Sequence, residues 1–220
     1  MSEPMSDVKT WQLIHEERAA VADMLATIAP QQWATPSLCG TWSVHVTAGH
    51  IVLGAEQTPV HFVTRMAANG FRFNKMMDRD ARRLGTLPPA EIVERLRARV
   101  STTNRPPAPV MTMLGEIVVH GEDIRRPLGI DGGTNPEAVA ACLEMYSGSS
   151  FPVGTKKRIE GLRLVATHAG WSHGSGPEVS GPGVSLLLAA TGRPAGLDAL
   201  RGDGLATLQG RMLRAPRPSA

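Results

Sequence analysis

An apolar period of three and four residues runs along the chain as far as Tyr146 and then stops, and this break limits what the chain can fold into. Val8, Trp11, Ile14, Ala22, Leu25 and Ile28 keep that step after Ser6-Asp7, a capping pair, and the run ends before Pro30. It predicts a first helix. A loop with Pro36, Cys39 and Gly40 leads to Thr41, expected to cap a second helix from about Trp42 to Ala68, kinked at Pro59. Pro89 to Val100 predicts a short third helix and Val110 to Arg126 a fourth, with Met113, Leu114, Ile117, Val118 and Ile124 on its apolar side. Asn135-Pro136-Glu137 opens a fifth, reaching about Tyr146.

Beyond Tyr146 the helical step gives way to Ser147-Gly148-Ser149-Ser150 and Pro152-Val153-Gly154, a linker composition. The expected domains are 1–150, a helical bundle, and 151–220, a small α/β domain, so the fold class is α+β. Within the second, Leu162–Thr167 and Leu205–Leu213 read as short strands, and Leu186-Leu187-Leu188 within Gly181–Thr191 reads as a short helix.

Composition removes several function classes. No apolar run approaches the ~18 residues that a membrane span needs, and Met1 to Asp7 lacks the basic and apolar parts of a secretory signal. The expected location is the cytoplasm. Cys39 and Cys142 form no disulfide framework and are expected as free thiols. The net charge of +3 comes from arginines such as Arg79, Arg82 and Arg83 and the 211–217 tail, while aromatics are only 4% of residues, so no nucleic-acid partner is expected. Gly174-Ser175-Gly176 and Gly181-Pro182-Gly183 fit neither nucleotide fingerprint and read as turns. The oligomeric state is not set by the sequence.

The chemistry lies in Glu116 and His120, which on a helix stand one turn apart on one side. Zinc accepts imidazole nitrogen and carboxylate oxygen at about 2.0–2.2 Å, and two His with one Glu leave a fourth position open. His50 is the natural third ligand. The plainer reading of such a pair is a surface contact, but Glu116 and His120 border the apolar stripe, where unpaired polar groups are costly. His61 lies roughly 16 Å further along a continuous helix at 1.5 Å per residue, too far to share the ion. His15 and His45 are read as ordinary structural histidines. Cys39 stands in a loop with no predicted base beside it and is read as an inert thiol. Arg125 and Arg126 are read as partners of Glu122 or Asp123 at the helix end.

Three stretches carry a resemblance. They are Cys39-Gly-Thr-Trp-Ser-Val44 leading to His50, Gly115-Glu-Ile-Val-Val-His-Gly-Glu-Asp-Ile-Arg-Arg-Pro-Leu-Gly129, and Gly170-Trp-Ser-His-Gly-Ser-Gly-Pro-Glu-Val-Ser-Gly181 with Leu186-Leu-Leu-Ala-Ala-Thr-Gly-Arg193. With these, the chain resembles the mycothiol-dependent maleylpyruvate isomerase family, whose N-terminal half is a DinB-like four-helix bundle. The resemblance implies zinc, or another divalent metal, on His50, Glu116 and His120, and a C-terminal domain that closes over the site with an arginine, for which Arg193 is the candidate. It implies mycothiol as a small-molecule thiol, used as thiolate on an electrophilic small molecule for isomerisation by addition and elimination, or for thiol transfer. Two departures stand out. Val46 replaces an Asp that usually precedes the metal His, and His168 replaces an Asp after a strand. Two other readings stay open, a hydrolase using metal-bound water and a non-catalytic bundle braced by the metal.

Overall fold

Ser6 opens the first helix. Its hydroxyl accepts the Lys9 amide at 3.3 Å and α1 runs over Asp7–Thr27 in the computed structural model, which describes residues 5–149, 153–167 and 169–214. Leu13, Ile14, Val21 and Leu25 of α1 are buried at the three- and four-residue steps of a core-facing stripe. A 3-10 turn follows at Pro30–Ala34.

The predicted second helix is two helices. α2 covers Val44–Glu56, capped by Ser43, whose hydroxyl accepts the Val46 amide at 3.3 Å. Thr41 caps nothing; its hydroxyl accepts from Arg82 at 2.9 Å. Pro59 begins α3 (Pro59–Ala68) instead of kinking a continuous helix, because proline has no N–H to donate and Thr58 supplies a capping hydroxyl for the His61 amide. Gln57 and Thr58 are extended between them.

α4 (Phe73–Leu84) was not expected. Met76, Met77, Ala81 and Leu84 are buried along one face, with arginines on the other. α4 packs on α2 where the backbones come close, since a Cβ on Gly49 would lie 2.8 Å from the Gly85 amide nitrogen. α5 (Pro89–Arg97) buries Ile92 and Leu96 against α1 and α2, and α6 (Val110–Arg125) buries Leu114, Val118 and Ile124 against the same two helices. This is the first compact unit, ending at Gly133.

The second unit begins at Thr134, so α7 (Pro136–Ser147) is part of it and packs on its neighbours there. The Asn135 side chain accepts the Glu137 amide at 2.9 Å and starts the helix as its sequence suggests. After α8 (Thr155–Ile159) come β1 (Arg163–Thr167), β2 (Trp171–His173) and β3 (Glu178–Pro182). β1 is central, antiparallel to β2 with Leu164 opposite His173 and parallel to β3 with Leu164 opposite Val179. α9 (Gly183–Ala190) packs on β1, β3 and α7. The expected strand at Leu205–Leu213 is instead α10 (Leu205–Arg214): Gly204 and Leu208 are buried one helical turn apart, whereas Leu213 is exposed. The fold is α+β. Among the described residues no helix is long and apolar enough to cross a membrane.

Candidate metal centre

α2 and α6 pack together, and their contact brings three of the expected residues into one place. His50 is 4% exposed, and its Nε2 lies 3.9 Å from Glu116 Oε1. The His50 and His120 rings meet edge to face with centroids 4.7 Å apart. Gly54, one turn beyond His50, leaves the room that Glu116 occupies: a Cβ there would lie 1.9 Å from Glu116 Oε1.

His120 is oriented from behind. Its Nδ1 is 2.9 Å from Oδ2 of Asp123, which is fully buried, so Nδ1–H donates to the carboxylate and Nε2 is the nitrogen left for a cation. The 39–44 turn supplies a wall. Trp42 sets its ring 5.0 Å from that of His50 and is tied down by an Nε1–H donated to Asp78 at 2.8 Å.

The same turn brings Cys39 to His120, against the reading that no base stands beside it. Donor atoms of Cys39, His120 and Asp123 lie within 4.8 Å of one another, all three residues buried. His120 thus lies beside Cys39 and Asp123 as well as against the His50 ring. Asp123, which sequence reasoning placed with the helix-end arginines, belongs to the site; the signal was its position three residues after His120, one turn along the same face. Glu122 is the residue that pairs with Arg125 and Arg126, at 3.3 and 3.5 Å.

The charges are unequal. Burial and then the neighbouring His120 push His50 well below the usual histidine range, with Asp123 opposing. Burial pulls His120 down, but its bonds to Asp123 and Cys39 outweigh this and raise it to about 10. Burial raises Glu116 against the pull of His120 and Arg18. His50 Nδ1 is buried with no hydrogen-bond partner, a cost that coordination of one ring nitrogen and reorientation of the other would relieve. The two imidazoles and the carboxylate of His50, Glu116 and His120 are donor types that a divalent cation such as zinc accepts, although among the described residues only the donor atoms of Cys39, His120 and Asp123 all lie within 4.8 Å of one another.

The other singled-out residues fall elsewhere. His61 is exposed on α3, and His45 places Nε2 2.8 Å from the Leu87 carbonyl. The His15 ring lies tilted against that of Trp11, centroids 5.9 Å apart. Val46 packs against the apolar cluster of Cys39, Trp42 and Ala81. Arg193 is in the second unit, buried after α9, and donates to the Thr191 carbonyl at 3.0 Å. His168 lies outside the described residues.

Residues 14–109 match the family model of the mycothiol maleylpyruvate isomerase N-terminal domain. The match lies within the helical unit. The matched segment contains Cys39, Trp42 and His50 and ends just before α6, which carries Glu116 and His120. Two solved structures are similar over 97% of this chain and 96% of theirs. One is described as a crystal structure of the mycothiol-dependent maleylpyruvate isomerase, 13% identical with a TM-score of 0.59. The other is a crystal structure of a histidine-to-alanine mutant of such an isomerase, 15% identical with a TM-score of 0.62. At these identities they show a shared fold. A search of curated proteins finds no match.

Proposed function

We propose that the protein is a mycothiol-dependent isomerase or thiol S-transferase of the maleylpyruvate isomerase kind, using one divalent cation, zinc, held by His50, Glu116 and His120. The observation that carries this reading is the meeting of His50 with Glu116 at 3.9 Å and with the His120 ring at 4.7 Å, in a buried place where His50 Nδ1 has no partner. The match of residues 14–109 to the isomerase N-terminal domain model and the fold shared with the two solved isomerases support it.

When bound, the cation would favour the thiolate of an added thiol over its neutral form, whose ordinary pKa is about 8.5, and so supply a nucleophile at neutral pH. The chain's own residues prepare the place. Asp123 holds the Nδ1 proton of His120, which keeps Nε2 as the ligating nitrogen and fixes the ring. Glu116 contributes a negative charge that partly offsets the dication, and the room for it comes from Gly54. Trp42 and the surrounding apolar side chains exclude water from one side, strengthening each electrostatic contact. Arg193, buried after α9, is proposed as a catalytic arginine. The electrophilic substrate is a small molecule, with maleylpyruvate the first to try because of the family's name.

The test is turnover of maleylpyruvate by zinc-loaded protein with and without added mycothiol. Turnover that requires mycothiol supports the reading. Thiol-independent hydrolysis of esters or amides by the same sample would replace it with a hydrolase, and a metal-loaded protein inert to both would replace it with a binding module.

A further inference from the structure

We propose that α3 and the turn after it dock on the surface of an anionic phospholipid bilayer, their apolar side chains entering the interface while basic side chains of α4 meet lipid phosphates. Docking there needs no metal and stands whether or not the centre binds one. The bilayer is touched and not crossed.

The apolar part faces outward. Val60, Val63 and Ala67 stand at steps of three and four residues, the spacing of one helix face, and all are exposed, Val60 at 69% and Val63 at 54%. No residue of α3 is buried. Phe62 and Met66 are half-buried, and the Phe62 ring lies 6.3 Å from that of Phe73 at the start of α4. Gly70 and Phe71 then both take left-handed backbone, with φ of 61° and 58°, and Phe71 is 73% exposed. That conformation is strained for phenylalanine, and no burial of the ring offsets the strain. A Cβ on Gly70 would meet nothing within 4 Å, so the turn stands out from the body of the unit. Single exposed apolar residues need no explanation, but three of the five large ones among the described residues gather here.

The charge beside them is of one sign. Residues 57–88 hold six arginines and lysines and two aspartates, a net of +4 in a chain whose net charge is +3. Both aspartates are taken: Asp80 pairs with Arg65, and Asp78 with Arg82 at 2.9 Å. Arg72, Lys75, Arg79 and Arg83 follow at steps of three and four along the exposed side of α4, and none has an acidic partner among the described residues. Burial, then Arg83 and Arg79, lower the pKa of Arg65, the residue that ties α3 to α4, which sets these two cations beside α3.

Charge and shape select the partner. A second copy of the chain would bring two positive patches face to face, which like-charge repulsion opposes. A bound peptide needs a groove or a sheet edge, whereas α3 with its exposed turn is a ridge. A fluid anionic surface accepts both parts at once, since apolar side chains sink toward the acyl chains and guanidiniums pair with phosphate oxygens.

The experiment is flotation of the full-length protein with vesicles of phosphatidylcholine alone and of an equal mixture with phosphatidylglycerol, at low and high salt. Binding to the mixed vesicles only, reversed by high salt, is expected of the wild type. Affinity should fall roughly tenfold or more in the double variant Arg79→Glu with Arg83→Glu, and likewise in Val63→Ser with Phe71→Ser. All four side chains are exposed, so both variants should keep the circular dichroism and thermal unfolding of the wild type. No flotation of the wild type with mixed vesicles, or flotation that both double variants retain, overturns the lipid assignment. A concentration-dependent dimer in sedimentation velocity, lost in Val63→Ser with Phe71→Ser, would overturn it too and give the surface to a second copy.

Discussion

Nδ1 of His120 and Oδ2 of Asp123 are 2.9 Å apart in a buried pair one turn long, and this contact decides which nitrogen of His120 is free to bind a cation. Replacing Asp123 by Asn keeps a polar side chain of the same shape but removes the charge that fixes the tautomer. Zinc affinity should fall by roughly 10–100-fold, the usual effect of losing such a partner. Competition with a chromophoric chelator reads this directly, and an unchanged affinity would mean that Asp123 does not support the metal.

Protonation follows from the same contact. With His120 raised to about 10, the metal-free protein carries a proton there at neutral pH, and coordination must expel it. Zinc titrations by calorimetry in two buffers of different ionisation enthalpy at pH 7.5 should show at least one proton released, and apparent affinity should rise with pH. Release of none would place His120 outside the coordination shell.

The histidine pair also shapes the stability of the metal-free protein. His120 binds its proton more tightly folded than unfolded, so its contribution is full below the ordinary value of 6.5 and is lost as pH rises toward about 10. His50 is depressed, so the unfolded chain gains protons first and stability is lost as pH falls below 6.5. Chemical denaturation across pH should show that His120→Gln flattens the loss on the alkaline side and His50→Gln the loss on the acid side. Slopes that both variants leave unchanged would contradict these assignments.

Two glycines of α2 should respond differently to alanine. At Gly54 the added methyl meets the far end of the Glu116 side chain, which can swing away, so the fold should survive while zinc affinity drops at least tenfold. At Gly49 it meets the Gly85 and Leu84 backbone across the α2–α4 contact, which cannot move without shifting a helix. That variant should lose about 1–3 kcal/mol, the usual range for overpacking. Thermal unfolding and metal binding measured on both separate the two effects.

Much of this could be read from the sequence because it is local. The Ser6 and Asn135 caps, the apolar stripe of α6 and the shared face of Glu116 and His120 each depend on residues within one or two turns. The misreadings have physical causes. In α4 the dense charge of Arg79, Arg82 and Arg83 masks a narrow apolar stripe of Met76, Met77, Ala81 and Leu84 at helical spacing. α10 read as a strand because its leucines are sparse, and a helix that buries only a narrow stripe leaves a weak period. α7 follows the helical period of the bundle but packs in the second unit, a choice made by tertiary contacts. Cys39 meets His120 only through the fold, far along the chain from it, and no local pattern announces such a contact.

The central claim is that His50, Glu116 and His120 hold a metal. Metal content per chain of zinc-reconstituted protein, measured alongside His50→Ala and His120→Ala, tests it most directly. Near-stoichiometric zinc in the wild type, lost in both variants while they remain folded, is the predicted result. Folded wild-type protein that takes up no zinc, or variants that retain it, would contradict the account.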